Sequence, residues 1–281
     1  MNINQIGILY HPEKAATIEV SAQVSRWLQA RGIANWIGPN ADHLGADTPL
    51  AETDLMVVLG GDGSTLRAAR IAAPHAIPIF CINMGRVGFL SEAELDIWPE
   101  KLSAVLQGDY WLERRLMLQA HLYNAGTRQE TMVALNDVVV GRGVQARIVR
   151  LKLFVDNDHV TTYTADGLIV ATPTGSTAYS MAAGGPLLPP ELENFLVIPV
   201  APHLSLGRAL VLHRQAVICI EVEMDHDATV TADGQESSQL HSGDKVVLQK
   251  HDHRALFARV GSSGYFYRRL MRRLGVQRTT D

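Results

Sequence analysis

Continuous apolar runs alternate with amphipathic stretches over the first hundred residues. Gln5 to Tyr10 predicts a buried strand, and Ala15 to Arg31 a helix with Val20, Val24, Trp27 and Leu28 on one side and Gly32 as its stop. Ile33 to Ile37 and the fully apolar Leu55 to Leu59 predict two more strands, the second running into a glycine cluster. Leu66 to Ala73 then predicts a helix ended by Pro74, Ile77 to Ile82 a further strand, and Trp98 to Gln107 a helix with Pro99 in its first turn and Gly108 at its stop. Strand and helix in alternation imply an α/β domain whose parallel sheet is covered on both faces, with ligands expected beyond the carboxyl ends of the strands.

After Tyr110 the period drops to two, as in LMLQAHLYN, TMVALNDVVV, RLKLFVDN, AVICIEVEM and KVVLQKH. Turn signals at Asn124 to Gly126, Asp156 to Asp158, Asp233-Gly234 and Ser242-Gly243 separate the runs. About a dozen short strands of this kind predict a mainly β domain of two packed antiparallel sheets, with one helical turn near Ser176. The last residues, GYFYRRLMRRLG, predict a helix with Phe266, Leu270 and Leu274 on one face. Its Arg268, Arg269, Arg272 and Arg273 are either a solvated surface or a contact for an anion or subunit. The expected division is an α/β domain over 1–110, an all-β domain over 111–260, and a helix over 261–281 that packs back on the first domain.

A chain of 281 residues with 47% hydrophobic and 19% charged residues has a globular composition, so disordered and fibrous classes are excluded. A net charge of −4 gives no field that would draw nucleic acid or an anionic membrane. Cys81 and Cys219 sit apart in apolar runs, as buried free thiols do, and neither a secretory leader nor an apolar run of membrane-spanning length is visible. The expectation is a cytoplasmic protein with no nucleic-acid or membrane partner. His, Cys and carboxylates do not gather with metal-ligand spacing, and His251-Asp252-His253 reads as a surface turn, so no fixed metal site is expected.

Chemistry concentrates in two clusters. In LMVVLGGDGSTLRAAR, the residues Gly60, Gly61, Asp62, Gly63, Ser64 and Thr65 lie between a strand and a helix start. Glycines there let backbone N–H groups approach an anion, and the helix N-terminus adds partial positive charge. An Asp in such a turn repels phosphate, so it holds a cation, takes a proton from an attacking hydroxyl, or merely caps the helix. The second cluster, DGLIVATPTGSTAYSMAAGGP, brings Thr172, Thr174, Gly175, Ser176 and Thr177 to the end of an apolar strand, either to bind ribose or phosphate or as a well-capped turn. Tyr179 is suited to stack on a base. Between the clusters, Asn136-Asp137 interrupts VALNDVVV, marking a bulge or a polar contact. No Walker-type G-x-x-x-x-G-K-[ST] and no H-R-D or D-F-G set occurs, and GRGVQA at 141–146 lies between β runs, where a hairpin is expected rather than a dinucleotide fingerprint.

Taken in order, GGDGSTLRAAR, INMGRVGFLSE, LNDVVVGR, TADGLIVATPTGSTAYSMAAGGP and VTADGQ resemble the signature blocks of the bacterial and archaeal NAD kinase family over roughly residues 5 to 260. The resemblance implies a phosphofructokinase-like or Rossmann-like α/β domain joined to a mainly β domain. It implies Mg²⁺-dependent transfer of the γ-phosphoryl of ATP, or of polyphosphate, to the 2′-hydroxyl of the adenosine ribose of NAD, giving NADP. Asp62 matches the catalytic aspartate, and Gly61, Gly63, Ser64 and Arg67 fall to the donor phosphates. For NAD the resemblance implies Asp62, Gly63, Phe89, Asn136, Asp137 and Asp166, with Thr177, Ala178, Tyr179, Ser180 and Ala182 around the dinucleotide and Arg147 and Gln235 as further contributors. A cleft between the two domains is the expected place, and a homodimer or homotetramer the expected assembly.

Three positions depart from the pattern: Ser64 stands where Thr or Asn is frequent, Arg86 where a smaller or His side chain is, and Ala182 where a hydroxyl is. The stretch PHLSLGRAL differs by one residue in spacing from the family's, so no role is carried onto it. Two other readings of the same turn are a non-catalytic NAD(P)-binding regulator and a lipid or diacylglycerol-type kinase; the polar TPTGSTAYS and Asn-Asp blocks speak against an apolar substrate groove.

Overall fold

In the computed structural model, residues 3–41, 44–85, 88–143, 147–203, 206–223 and 227–273 are described. They divide into two units, Met1–Arg114 with His253–Asp281 and Arg115–Asp252.

The first unit begins with β1 (Gln5–Tyr10), α1 (Ala15–Gln29), β2 (Ala34–Pro39), β3 (Leu55–Gly60), α2 (Asp62–Ala72), β4 (Pro78–Asn83), β5 (Ala93–Glu94), α3 (Trp98–Leu106) and β6 (Trp111–Arg115). A late strand, Ala255–Arg259, and the C-terminal helix, Tyr265–Arg273, complete it. The sheet runs β2-β1-β3-β4, then the late strand, then β6, with β5 beside β4. Pairings among β1 to β5, and of the late strand with β4, are parallel. Alternate side chains divide its faces: Ile6, Ile8, Val57, Phe80 and Ile82 pack with Val24 and Leu28 of α1 and Leu102 and Val105 of α3. Cys81 points the other way, where Thr65 Oγ1 of α2 donates to its sulfur at 3.3 Å. Burial pushes that thiol up to about 12, as an inert core cysteine requires. The chain reverses direction across the sheet between β1 and β3, and the glycine turn sits at the carboxyl end of β3.

The second unit holds β7 (Leu118–Asn124), β8 (Thr127–Ala134), β9 (Asp137–Arg142), β10 (Val149–Val155), β11 (Asp158–Ala165), β12 (Gly167–Ala171), the short helix α4 (Tyr179–Ala182), β13 (Asn194–Val200), β14 (Leu210–His213), β15 (Ile218–Val222), β16 (Ala228–Ala232), β17 (Glu236–Leu240) and β18 (Lys245–Lys250). Two six-stranded sheets form, in the orders β11-β10-β15-β18-β7-β8 and β14-β13-β12-β9-β16-β17. Inward-facing residues of both, among them Leu118, Ala120 and Leu122 of β7, Leu151 of β10, Leu168 of β12 and Phe195 of β13, make one sandwich core. The hairpin turns carry the positive φ that two-residue connections need, at Ala125-Gly126 (46° and 80°), Asp156-Asn157 (53° and 75°) and Asp233-Gly234 (51° and 65°).

Four expectations change. The second unit ends at Asp252, not 260, because the strand Ala255–Arg259 pairs with β4 of the first unit's sheet. Helix α2 begins at Asp62 rather than Leu66, so the glycine turn is its first turn. β9, which carries Gly141 and Arg142, pairs with β12 and β16, and β10 with β11 and β15, so these two strands do not pair with each other as a hairpin would; residues 144–146 of GRGVQA lie outside the described residues. Cys219 is only half-buried, since it alternates with the inward-facing Ile218 and Ile220. Arg86 and Leu274 also lie outside the described residues, as do the side chains of Arg272 and Arg273.

Candidate active site

The turn after β3 is shaped by contacts that only small residues allow. A β-carbon at Gly60 would lie 2.2 Å from Ser64 Oγ, whereas one at Gly61 would meet nothing within 4 Å. Gly61 therefore leaves open backbone at the start of α2, where the helix dipole favours an anion. Ser64 is buried and its carbonyl accepts from Asn40 Nδ2 at 2.8 Å, while Arg67 Nη1 reaches the Asn40 carbonyl at 3.4 Å. Asn40 and Asn83 stand at the carboxyl ends of β2 and β4, each with a buried Oδ1 that has no described partner. Sequence reading missed both, because a single Asn after a strand is indistinguishable from a turn residue.

Asp62 is the first residue of α2, directly after the N-cap Gly61. Its carboxylate reaches across to the 88–90 segment, accepting from the Phe89 N–H at 3.0 Å and the Leu90 N–H at 3.1 Å. It lines a cavity of about 940 Å³ within the first unit, together with Glu92, Lys101, Tyr265, Arg268 and Arg269. Phe89, one of the residues that the resemblance assigns to NAD, is buried against Phe266 and Leu270 of the C-terminal helix. Arg269 is likewise no solvated charge: it donates to the Phe89 carbonyl at 3.3 Å and to the Ser91 carbonyl.

In the second unit the structure brings Asn136, Asp137 and the Thr172–Thr177 turn together. The Asn136 carbonyl accepts from the Thr172 N–H at 2.8 Å, and a β-carbon on Gly175 would lie 2.1 Å from that same carbonyl oxygen. Thr172 Oγ1 donates to the Leu135 carbonyl at 2.5 Å, and Ser176 Oγ to that of Pro173 at 2.7 Å. Thr177 Oγ1 donates to the Thr174 carbonyl at 3.1 Å, and Thr174 Oγ1 accepts from Arg115 Nη1 at 3.2 Å. These hydroxyls thus donate within the turn itself and help to build it.

Asp233 organises the other side. Its carboxylate accepts from the N–H groups of Leu135, Asn136 and Asp137, at 2.9, 2.7 and 3.3 Å. Sequence reading took Asp233-Gly234 only as a turn; the VTADGQ block was the signal that more was at stake. Burial, and then the neighbouring Asp233 charge, push the Asp137 carboxyl up to about 7. Gln235 is half-buried on the same turn, its N–H given to the Ala232 carbonyl at 2.9 Å.

Asp166 and Tyr179 line a second cavity, of about 410 Å³, with Gly141, Arg142, Thr229 and Thr231. Arg142 pairs with Asp166 at 3.4 Å, and Tyr179 is 47% exposed. Ala178 is half-buried, and Ala182 and Arg147 are exposed. Ser180 is fully buried, its hydroxyl has no described partner, and it sits against Gly185.

Among the described residues no three His, Cys, Asp or Glu side chains gather into a metal-sized cluster. Mg²⁺ characteristically takes one or two carboxylates, with water and substrate phosphates filling the remaining positions. A single carboxylate beside open backbone at a helix start fits an ion that arrives with phosphate. No described helix is long and apolar enough to cross a membrane.

Residues 46–110 match the family model of the ATP-NAD kinase N-terminal domain, and 135–260 that of the ATP-NAD kinase C-terminal domain. The NAD kinase of Chloroflexus aurantiacus is 36% identical over 272 residues, covering 97% of this chain and 99% of the relative. That of Heliobacterium modesticaldum is 40% identical over 270 residues, 93% and 95% of the two chains. Among solved structures, yeast NADH kinase complexed with NADH is similar in fold, with a TM-score of 0.88 at 23% identity over 100% of this chain and 90% of that one. An NAD kinase from Archaeoglobus fulgidus in complex with ATP has a TM-score of 0.75 at 27% identity, over 97% and 99%.

Proposed function

The chain belongs to the NAD kinase family, and we propose that Asp62 is its general base, taking the proton of the NAD 2′-hydroxyl as that oxygen attacks the γ-phosphorus of ATP. The bond from γ-phosphorus to the bridging oxygen breaks as the new one forms, releasing ADP and NADP. The observation that carries the role is the double backbone grip on Asp62: two N–H groups fix its carboxylate at a turn that offers open backbone to phosphate. A ribose hydroxyl is a poor nucleophile at neutral pH, and a positioned base supplies about 10²- to 10⁴-fold.

Gly61 and Gly63 lay the donor phosphates on backbone N–H groups, and Arg67, one turn into α2, adds a cation. Mg²⁺, when bound, neutralises charge on the transferring phosphoryl group. On the acceptor side, Asp137 and the Asn136 side chain take ribose hydroxyls or adenine edges, Tyr179 stacks, and Asp166 meets the nicotinamide end. Polyphosphate as a second donor, a homodimer or homotetramer, a cytoplasmic location and a place in NADP biosynthesis belong to the same reading. The fixed carboxylate argues against a non-catalytic regulator, for which such positioning has no purpose.

The test is incubation with Mg²⁺, NAD and either ATP or polyphosphate, with NADP measured by an NADP-specific dehydrogenase. Asp62→Asn is expected to lower kcat by at least about 100-fold with KM for NAD little changed. Unaltered turnover would overturn the role of Asp62.

A further inference from the structure

In the first unit, hydrogen bonds lead from the Asp62 carboxylate into a buried ion network that the transfer step does not use. The Leu90 N–H that Asp62 accepts shares one peptide group with the Phe89 carbonyl, and that carbonyl accepts from Arg269 Nη1 at 3.3 Å. The next two carbonyls are gripped as well. Leu90 O accepts from Arg259 Nη1 at 2.9 Å, and Ser91 O accepts from both Arg269 and Arg259. Two guanidinium groups thus hold three consecutive carbonyls of the segment whose N–H groups hold Asp62.

The guanidinium groups are themselves fixed. Arg259, 2% exposed at its side chain, donates through Nε to Glu113 at 2.8 Å and pairs with Glu92 at 3.3 Å. Glu92 also pairs with Arg269 at 3.4 Å, and Glu113 accepts from the Tyr265 hydroxyl at 2.6 Å. Burying such charges is costly, and well-packed apolar residues often serve stability as well or better. Stability alone therefore does not account for this network. A cation on a carbonyl also strengthens the N–H at the other end of the same peptide, because successive hydrogen bonds polarise one another.

We propose that Arg269 and Arg259 are positioning residues for the phosphoryl transfer: by gripping the Phe89–Ser91 carbonyls they aim the Asp62 carboxylate at the attacking hydroxyl. The proposal rests on the reading of Asp62 as the base. Small displacements of reacting groups are expensive, about 100-fold for 1 Å. Arg259 is too buried for a first variant, so Arg269, 23% exposed at its side chain, is the place to begin.

In Arg269→Gln, kcat falls about 10- to 100-fold, KM for NAD and ATP stays within about twofold, and Arg269→Lys recovers part of the loss. By NMR, the Leu90 amide proton of Arg269→Gln moves upfield, while that of Phe89, which belongs to the preceding peptide and not to the one whose carbonyl Arg269 grips, moves less. An unchanged kcat, an unmoved Leu90 amide, or a loss of melting temperature that accounts for the activity overturns the proposal. If Arg269→Gln does not fold, Tyr265→Phe, which removes only the hydroxyl held by Glu113, is read by the same kcat criterion. Full turnover in Asp62→Asn sinks the base itself; an inactive Asp62→Asn beside a fully active Arg269→Gln sinks only the positioning role.

Discussion

A β-carbon at position 88 would lie 2.0 Å from Oδ1 of Asp62, so Gly88 is the residue against which the carboxylate rests. The obstructed atom is the tip of a side chain, which rotates away at small cost to the fold, whereas backbone would not. Gly88→Ala is therefore expected to keep its melting temperature within a few degrees while kcat falls by about 100-fold, since the carboxylate leaves its two N–H donors. Steady-state kinetics beside a thermal melt check this. Wild-type kcat in a folded Gly88→Ala protein would show that the observed position of Asp62 is not the working one.

That relationship marks where sequence reading stops. The strands of the first unit and the alternating ones of the second were legible because continuous and period-two apolar runs each admit one placement. Asp62 was legible because a carboxylate in a glycine turn is locally out of place. Its partners were not: Phe89 and Leu90 act through backbone N–H groups, which carry no side-chain signature. Arg259 and Glu113 are 146 positions apart and meet only because the chain returns to the first sheet for one last strand. The same return moved the unit boundary.

Ser180 offers a sharper contrast between motif and geometry. Its hydroxyl is fully buried without a described partner, and a buried hydroxyl left unbonded costs stability. Ser180→Ala is expected to be neutral or to stabilise by about 1 kcal/mol, with KM for NAD within about twofold. Denaturant melts and NAD titration test it. A KM raised tenfold would mean that the hydroxyl turns outward to meet the dinucleotide.

Asp137 gives the protein a pH dependence of stability with a definite sign. Its carboxyl is raised from 3.8 to about 7, by burial first and by Asp233 second. The folded state therefore binds the proton more tightly than the unfolded chain does. Stability from this group is fully present below the unfolded value and is lost as pH rises through the folded one, a loss of about 4 kcal/mol at most by linkage. Asp137→Asn keeps the shape and removes the charge. Relative to wild type the variant should gain stability between pH 5 and 8, with the gain levelling off above about 7, as measured by urea unfolding at several pH values. A difference that stays constant over that range would show that Asp137 keeps an ordinary carboxyl in the folded protein, and that the charge of Asp233 is spent on its three N–H donors rather than on its neighbour.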